Sequence, residues 1–482
     1  MFDLTDLNLK ENEKKVFQYF SDICKIPHGS GNMKQIANYC ENFAQKNSLQ
    51  YIRDNADNII IFKNGQLGLE NAEPIILQGH TDMVCQCEPE IDFDFETQGL
   101  EILRDGDFIK AKGTTLGGDN GIAVAYILAI LASTDIPHPP IEAVFTVDEE
   151  IGLLGANALD TSVLKAKKMI NLDSETDDVL TVSCAGGQDT TLFLPFSTNT
   201  KSGTVITITI SGLLGGHSGV EIDKGRVNAN ILMGRILNHL STICDFDIVS
   251  INGGTKCNAI CSNCVAEILS NNPNTIIAEL KKYNEILYLE LKSRENGLQI
   301  NHKTEEKTVL CLKDDAKQNL LNLLNIVPNG IMEMSNEIKG LVETSLNLGI
   351  LKTDKDIVSL TFALRSNKKT AMKYLESRLI SVAKSVNATY ETSAFYPPWE
   401  YKEVSPLREL YKKCYKEQNG SDIKVEAIHA GLECAVFSSA IKNLDCISVG
   451  PNMFDVHTPK EKLSISSSVK TFNLLLEVLS KS

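Results

Sequence analysis

Five side chains of types that bind metal ions stand at the borders of hydrophobic runs in this sequence. They are His80, Asp119, Glu150, Asp173 and His457. Two imidazoles and three carboxylates form the ligand set of a pair of zinc-like ions that share one bridging carboxylate. Because such ions activate water and polarise carbonyl groups, this set of residues predicts a hydrolase.

Four of these residues follow short apolar runs that are typical of buried strands. The runs cover residues 74–77, 141–147, 169–172 and 446–449. In an open α/β sheet, ligands bind outside the carboxyl ends of the strands. The sequence therefore predicts an α/β fold with a mostly parallel sheet, in which the four ligands meet at one edge.

Asp119 is placed differently, by a glycine-rich turn that begins at Gly113. Glycine lets the backbone and the carboxylate approach an ion closely. Residues 122–132 predict an apolar core helix, so Asp119 falls near the start of that helix, where the helix dipole favours an anion. We interpret Asp119 as the best candidate for the bridging carboxylate.

Each candidate also has a simpler explanation when it is taken alone. His80 could be structural, Glu149 and Glu150 could be a solvated acidic pair, and Asp173 could cap a helix. However, Asp82 shares a face with His80 in extended chain, and its carboxylate can accept the second imidazole N–H and fix the tautomer. At a strand end, Glu149 and Glu150 would diverge, so that one binds metal and the other faces metal-bound water. The set as a whole favours a metal site.

Motifs along nearly the whole chain resemble a known family. They cover residues 79–84, 113–121, 146–152, 171–175, 184–187, 215–219, 341–349, 428–433 and 450–459. The chain is similar to the zinc aminopeptidase–aminoacylase superfamily, and closely similar to its Xaa-His dipeptidase branch. The stretches 341–349 and 428–433 indicate the dipeptidase branch in particular.

The resemblance implies which residues hold the two divalent ions. His80, Asp119 and Asp173 would bind one ion, and Asp119, Glu150 and His457 the other. We expect Zn²⁺, while Co²⁺ and Mn²⁺ suit the same ligands. The peptide bond after Asp119 is typically cis in such enzymes. Cys85 and Cys87 follow the His-x-Asp element closely and leave the metal preference open.

The resemblance also implies catalytic roles. Asp82 would orient His80, and Glu149 would be the general base for a metal-bridging hydroxide. His217 would stabilise the oxyanion from the other subunit of a dimer, although it could be a simple loop histidine. The implied activity is hydrolysis of unblocked dipeptides, including Xaa-His. The alternatives are a carboxypeptidase or N-acyl amino acid deacylase of the superfamily, or a metal-binding protein that has lost catalysis, which the intact ligand set argues against.

Three further residues resemble the family's substrate contacts. Arg365 ends an alternating strand, and its guanidinium can bind a substrate carboxylate with two hydrogen bonds, although it could be a surface arginine. Asn258 resembles a lid residue that faces the substrate, or a plain turn asparagine. Gly431 lies with His429 and Glu433 in a loop that borders the substrate in relatives, and His429 could equally be structural.

The positions of the ligands predict one domain that interrupts another. We assign residues 1–186 and 391–482 to the catalytic domain and residues 187–390 to an inserted α+β domain, because residues 204–210 and 358–364 alternate as one-faced antiparallel strands do. Helical patterns lie between such strands at about 223–242, 276–294, 314–326 and 368–387. The inserted domain would be a lid and the surface of a homodimer.

Composition limits the class of protein. The 482 residues carry a net charge of −15 without a basic run, which argues against nucleic acid as a partner. No apolar stretch is long enough for a membrane span, and the first residues lack the basic start of a signal peptide. Thirteen cysteines without a disulfide framework suit a cytoplasmic protein. Cys257, Cys261 and Cys264 could bind a structural zinc, but buried thiols are the simpler interpretation.

Overall fold

The structure is a computed structural model that describes residues 4–482, and the described chain forms two compact units. The first unit contains residues up to 184 together with residues 401–427 and 432–482. The second unit contains residues 185–400 and 428–431. Within the described residues, no helix is both long and apolar enough to cross a membrane.

The described α-helices are numbered in chain order. They are α1 Glu11–Cys24, α2 Lys34–Lys46, α3 Gly118–Leu131, α4 Leu154–Ala158, α5 Ala229–Ser241, α6 Pro273–Leu291, α7 Asp314–Ile326, α8 Lys369–Ser385, α9 Pro406–Asn419, α10 Glu433–Ala440 and α11 Ile465–Ser480. Helices α5 to α8 correspond to the four helical patterns predicted in the inserted domain. Helix α3 is buried along nearly its whole length, as its uninterrupted apolar sequence predicts.

The described strands are numbered in the same way. They are β1 Gln50–Arg53, β2 Ile59–Lys63, β3 Ile75–His80, β4 Ile102–Asp105, β5 Phe108–Ala111, β6 Ile141–Thr146, β7 Lys168–Asn171, β8 Val179–Cys184, β9 Gly186–Pro195, β10 Thr198–Ser211, β11 Gly216–His217, β12 Asp247–Gly253, β13 Ala259–Ile260, β14 Cys264–Ser270, β15 Gln299–Leu312, β16 Gly330–Met334, β17 Val342–Asp354, β18 Ile357–Ser366, β19 Thr389–Tyr396, β20 Lys424–Ile428, β21 Asp445–Ser448, β22 Met453–Phe454 and β23 Lys462–Ser464.

The main sheet of the first unit has the strand order β1-β2-β6-β3-β7-β21-β8-β20. Its centre is parallel, because β3 pairs with β6 and β7, and β21 pairs with β7, in parallel register. The pairs β1–β2, β2–β6 and β21–β8 are antiparallel. The predicted parallel sheet is therefore found at the four strands that lead to candidate ligands. A smaller sheet has the order β22-β23-β5-β4. Its strand β22 precedes His457 in the sequence, and its strand β23 follows it.

The second unit is built on an antiparallel sheet with the order β15-β10-β14-β12-β17-β18-β9-β19, to which β16 adds by pairing with β17. One face of this sheet is apolar and carries Leu360 and Phe362, which join the core formed with helices α5 to α8. The other face is polar, and there the hydroxyl oxygens of Thr191 and Thr361 lie 3.1 Å apart. This one-faced sheet with helices confirms the predicted α+β character of the inserted segment.

The boundaries between the units differ from the predicted ones. The second unit begins after Cys184 and continues to Glu400, because β19 pairs antiparallel with β9 and remains part of its sheet. Residues 428–431, which the sequence assigned to the catalytic domain, belong to the second unit. There the backbone N–H of Ala185 donates to the carbonyl of Ile428 at 3.1 Å. Local alternation could not reveal these long-range pairings.

Candidate functional site

The parallel strands of the first unit end where the candidate metal ligands begin. His80 is the last residue of β3, Glu150 follows the end of β6, and Asp173 follows the end of β7. His457 comes after β21 and the short strand β22. The apolar sequences form parallel strands, and parallel strands have their carboxyl ends at one edge of the sheet. The side chains that follow these strands are therefore brought together.

Asp119 lies between the two histidines. Its Oδ1 atom lies 3.1 Å from Nε2 of His80, and its Oδ2 atom lies 3.3 Å from Nε2 of His457. Each imidazole also meets a second carboxylate, at 3.4 Å from Oδ1 of Asp173 and at 2.7 Å from Oε1 of Glu150. Two groups of three donors thus share one carboxylate, and each of its oxygens faces a different group.

The donor set fits divalent metal ions. In each group of three, the donor atoms lie within 4.8 Å of one another. Imidazole nitrogen and carboxylate oxygen are ligands that zinc and similar ions accept. Within residues 4–482, the carboxylates of Asp119, Glu150 and Asp173 form ion pairs with histidines and with no lysine or arginine. Because buried carboxylates need compensating charge, this cluster suits bound cations.

The pKa values of the histidines follow from this excess of negative charge. Hydrogen bonds with Asp119 and Glu150 raise the pKa of His457 to about 11. Burial acts to lower the pKa of His80, but Asp173 and the neighbouring aspartates outweigh burial and raise it well above its usual value. Burial likewise acts to raise the pKa of Asp119, and its contacts with both histidines lower it instead. The cluster therefore favours positive charge at its centre.

Asp82 connects His80 to the segment that carries the two glutamates. Its Oδ1 lies 3.3 Å from Nδ1 of His80 and accepts a hydrogen bond from the backbone N–H of Glu149 at 3.0 Å. Its Oδ2 accepts from the backbone N–H of Glu150 at 3.2 Å and from the hydroxyl of Ser30 at 2.8 Å. One buried carboxylate thus fixes the imidazole ring and the turn after β6 together.

Glu149 lies beside the donor groups. Its carboxylate lies within 4.8 Å of donor atoms of both His80 and Glu150. Burial raises its pKa well above the usual value, and the negative charge of Asp173 adds to this shift while the charge of His80 opposes it. A carboxylate with a raised pKa in such a place can accept a proton and release it again.

Glu461 was missed by the sequence analysis. Its buried carboxylate accepts hydrogen bonds from four successive backbone N–H groups, with N···O distances of 2.8 Å for Leu116, 3.3 Å for Gly117, 2.8 Å for Gly118 and 3.4 Å for Asp119. It thereby holds the turn that presents Asp119. Nothing around position 461 in the sequence indicates a partner so distant along the chain.

Asn120 and Glu433 also form hydrogen bonds with residues that adjoin the candidate ligands. The peptide bond between Asp119 and Asn120 is cis, as the resemblance implied. The Asn120 amide oxygen accepts from the backbone N–H of His80 at 3.2 Å, and its amide N–H donates to the carbonyl of Leu172 at 2.9 Å. Glu433 was expected in a loop beside the substrate, but it is buried and accepts from the hydroxyl of Thr146 at 2.7 Å.

In the second unit, Arg365 lies on the polar face of the sheet and is only 9% exposed. Its Nη1 donates to the hydroxyl of Tyr396 at 2.8 Å, while its Nε has no hydrogen-bond partner among the described residues. Arg365, Asn258 and Tyr396 line one cavity of about 300 Å³. The structure therefore brings two of the predicted substrate residues together.

The two histidines of the second unit differ from those among the candidate metal ligands. Nδ1 of His217 accepts from the backbone N–H of Gly219 at 3.2 Å, and burial, helped by the charge of Arg365, lowers the pKa of this histidine. His429 lies between the Ser345 hydroxyl, 2.7 Å from its Nε2, and the Asn367 amide oxygen, 3.3 Å from its Nδ1. Burial lowers the pKa of His429 to about 3. Both imidazoles are therefore neutral at pH 7.

Gly431 and the cysteines complete the inventory of predicted residues. A Cβ atom at Gly431 would lie 2.9 Å from the ring of Tyr396, so the residue leaves room for the side chain that contacts Arg365. Cys261 donates from its thiol to the carbonyl of Asn263 at 3.1 Å. Of the groups that could hold a metal among the described residues, none includes Cys257, Cys261 or Cys264.

Comparison with known proteins decides the family. The model of peptidase family M20/M25/M40 matches residues 76–481. The chain belongs to this family. The M20 peptidase is therefore a hydrolase. The resemblance of its motifs to the zinc aminopeptidase–aminoacylase superfamily is confirmed.

Two similar proteins span almost the whole M20 peptidase. The cytosol non-specific dipeptidase of Escherichia coli (strain K12) is 35% identical to it over 470 residues, which cover 96% of both chains. The crystal structure of aminoacylhistidine dipeptidase from Vibrio alginolyticus matches with a TM-score of 0.90 and 33% identity, over 99% of both chains. An aminopeptidase from Bacillus cereus matches with a TM-score of 0.57 over 97% of this chain and 98% of its own, and at 15% identity this likeness shows the fold alone.

Proposed function

We propose that this M20 peptidase is a metal-dependent dipeptidase that hydrolyses the peptide bond of unblocked dipeptides, including Xaa-His. The observation that carries the proposal is the position of Asp119, whose two oxygens face His80 and His457. The restriction to dipeptides is supported by the 35% identity with the cytosol non-specific dipeptidase, which extends over 96% of both chains.

Two divalent ions complete the proposed site. His80, Asp119 and Asp173 would hold one ion, and Asp119, Glu150 and His457 the other. We expect Zn²⁺, and Co²⁺ or Mn²⁺ would suit the same oxygen and nitrogen donors. When bound, the ions polarise the scissile carbonyl and lower the pKa of water to about 7.

Glu149 is the proposed general base. Its carboxylate would accept the proton of the attacking water and deliver it to the amine that leaves when the peptide bond breaks. Asp82 would position other residues, because its carboxylate contacts the imidazole of His80 and accepts hydrogen bonds from the backbone N–H groups of Glu149 and Glu150. This places the base beside the ligands in a fixed orientation.

Arg365 is the proposed partner of the substrate's carboxylate. Its unpaired Nε and its neighbour Asn258 lie in one cavity, and a guanidinium can bind a carboxylate through two parallel hydrogen bonds. Gly431 keeps space beside Tyr396 in the same region. Recognition of a free C-terminus by Arg365 would help to define the length of the substrate.

We further propose a cytoplasmic homodimer that forms through the second unit, with His217 of the partner subunit stabilising the oxyanion. A neutral His217, whose Nδ1 accepts backbone N–H groups, keeps its Nε2–H free to donate. Thirteen free cysteines and the name of the Escherichia coli relative support the cytoplasm.

Mixing two inactive variants tests the dimer. Heterodimers of Glu149→Gln and His217→Asn subunits contain one complete site only if His217 acts across the interface, so mixing should restore hydrolysis. Activity that stays absent after subunit exchange, verified by light scattering and native mass spectrometry, would assign His217 to its own chain.

The dipeptidase function is tested with three substrates and metal-reconstituted enzyme. We expect hydrolysis of Ala-His and little hydrolysis of N-acetyl-Ala-His or Ala-Ala-His. Preference for the acetylated compound would instead indicate a deacylase, and preference for the tripeptide would indicate a peptidase for longer chains. All three substrates end in a free carboxylate, so the role of Arg365 is tested separately with a variant of that residue.

A further inference from the structure

We propose that Asp189 makes this peptidase select dipeptides whose second residue carries a cationic side chain. The inference rests on the proposed dipeptidase function and concerns the cavity of about 300 Å³ in the second unit. Besides Arg365, the proposed partner of the substrate's carboxylate, this cavity contains one acidic side chain, that of Asp189.

The strand register places the two charged side chains on one face of the sheet. In the antiparallel pair of β9 and β18, Arg365 is opposite Gly187, and Ala363 is opposite Asp189. Side chains two residues apart on a strand share a face, so Asp189 lies on the face of Arg365. Diagonal neighbours of this kind are about 7–8 Å apart. The cavity therefore presents a cation and an anion side by side.

The cavity contains polar groups that lack partners. Nε of Arg365 and Nε2 of Gln188 are buried donors without an acceptor among the described residues. Gly187 is opposite Arg365 in the strand pair and directly precedes Gln188, and it has no room for a side chain, because a Cβ would lie 2.4 Å from the ring of Tyr396. A ligand carboxylate would supply the acceptor that Arg365 lacks.

Asp189 is available for a ligand cation. Among the described residues its side chain hydrogen-bonds with the thiol of Cys257, and the charge that acts on it is that of Arg365 in the same cavity. Burial raises its pKa, while the hydrogen bond with Cys257 and the charge of Arg365 oppose that shift. A nearby cation would therefore relieve the cost of keeping this carboxylate ionised.

The geometry of an amino acid connects the two charges. The carboxylate and the side chain of a C-terminal residue leave the same α-carbon, so a residue held by Arg365 extends its side chain into the same cavity. A lysine, arginine or protonated histidine side chain could then pair with Asp189. A glutamate side chain would instead meet a like charge, which disfavours it.

Alanyl-lysine and alanyl-norleucine test the inference, because norleucine is lysine without its ammonium group. We expect the kcat/KM of wild-type enzyme to favour alanyl-lysine by about tenfold, and Asp189→Asn to remove most of this ratio. Glu391→Gln is the matched control. Glu391 of β19 pairs with Thr191 of β9 and lies on the same face of the sheet as Asp189. It is exposed and lies outside the cavity, so replacing it should leave the ratio unchanged.

Each outcome decides between the possibilities. A ratio that falls in Asp189→Asn and stays constant in Glu391→Gln supports the inference. A wild-type enzyme that cleaves both substrates without favouring alanyl-lysine overturns it, and this comparison needs no variant to fold. Equal changes in both variants would reduce the effect to general charge and also overturn it. If the wild type cleaves neither dipeptide, the proposed function itself fails and the inference fails with it.

Discussion

The pKa values of histidine side chains are shifted in opposite directions in the two units. In the first unit, His80 and His457 are surrounded by carboxylates, and their pKa values are raised. In the second unit, His429 is buried and His217 is half-buried near the guanidinium of Arg365, and burial, helped by that charge, lowers both pKa values. The difference shows that burial and neighbouring charge together, and not the residue type, determine what each region can bind.

This contrast assigns complementary tasks to the two regions. An excess of buried carboxylate attracts cations, as a metal site requires. A buried arginine with neutral imidazoles attracts an anion and donates hydrogen bonds to it, as the binding of a substrate carboxylate or an oxyanion requires. Each of the following variants changes one side of this comparison.

Glu149→Gln should have the largest effect, because it removes the proposed proton acceptor while leaving both groups of candidate ligands around Asp119 intact. We expect kcat for Ala-His to fall by about 10³-fold. Bound metal, measured by elemental analysis after gel filtration, should remain at the wild-type level.

Asp119→Asn is the matched comparison for that variant. It removes charge from both ligand groups, so activity and metal content should fall together. If Glu149→Gln keeps more than a tenth of the activity, or loses metal as Asp119→Asn does, Glu149 is a ligand or a bystander and not the base.

Glu461→Gln should weaken metal binding without entering the ligand set. The neutral amide would accept the four backbone N–H groups less well, so the turn that presents Asp119 should lose its fixed position. We expect metal affinity, measured by competition with a chromophoric chelator, to fall by about 10–100-fold.

Glu13→Gln provides the control for the loss of a buried carboxylate in the first unit. Glu13 accepts hydrogen bonds from the backbone of Lys10 and from the side chain of Asn473. This variant should lower stability and leave metal affinity unchanged. Equal losses of affinity in the two variants would reduce Glu461 to a general contributor to the fold.

The two units also differ in how far the sequence predicts them. The positions of the candidate ligands at strand ends were predictable because β3, β6 and β7 are short, largely apolar strands that end at polar residues. Asp119 was predictable from its glycine-rich turn. Glu461 was not, because its four hydrogen bonds go to residues more than 300 positions earlier in the chain. Such contacts depend on tertiary structure and leave no local pattern.

In the second unit, alternation predicted that Arg365 lies on a polar face, but it could not predict the neighbours of Arg365. Strand β9 brings Asp189 to that face through its pairing with β18, and β19 extends the sheet to Tyr396. The residues of a strand show which side chains share a face. They do not show which strand will pair with it, and this pairing determines the composition of the cavity.

Arg365→Met should act mainly on substrate binding. We expect the KM for Ala-His to rise at least about tenfold, because a charge-assisted pair with the carboxylate is lost, with a smaller change in kcat. The amide of Ala-His, which lacks that carboxylate, should be a poor substrate of the wild type and should lose little further in the variant. Arg235→Met removes an arginine that pairs with Glu290 at the surface of the same unit, and it should change neither KM. A similar rise in KM for both substrates in Arg365→Met would place Arg365 outside carboxylate recognition.

His429→Gln tests the neutral side of the comparison through stability. The pKa of His429 is about 3 in the folded chain and about 6.5 for an ordinary histidine, so the unfolded chain binds the extra proton first. The folded state therefore loses stability as the pH falls from 6.5 towards 3, by up to about 1.4 kcal/mol per pH unit, and keeps its full stability above 6.5. The variant lacks this titration, so its free energy of unfolding in urea should depend less steeply on pH in that range. Ser345→Ala removes the hydrogen bond to Nε2 but retains the imidazole, and it should lower stability at every pH while keeping the steep dependence. If His429→Gln keeps the wild-type slope, His429 is already charged in the folded chain, and the contrast with His80 and His457 would rest on His217 alone.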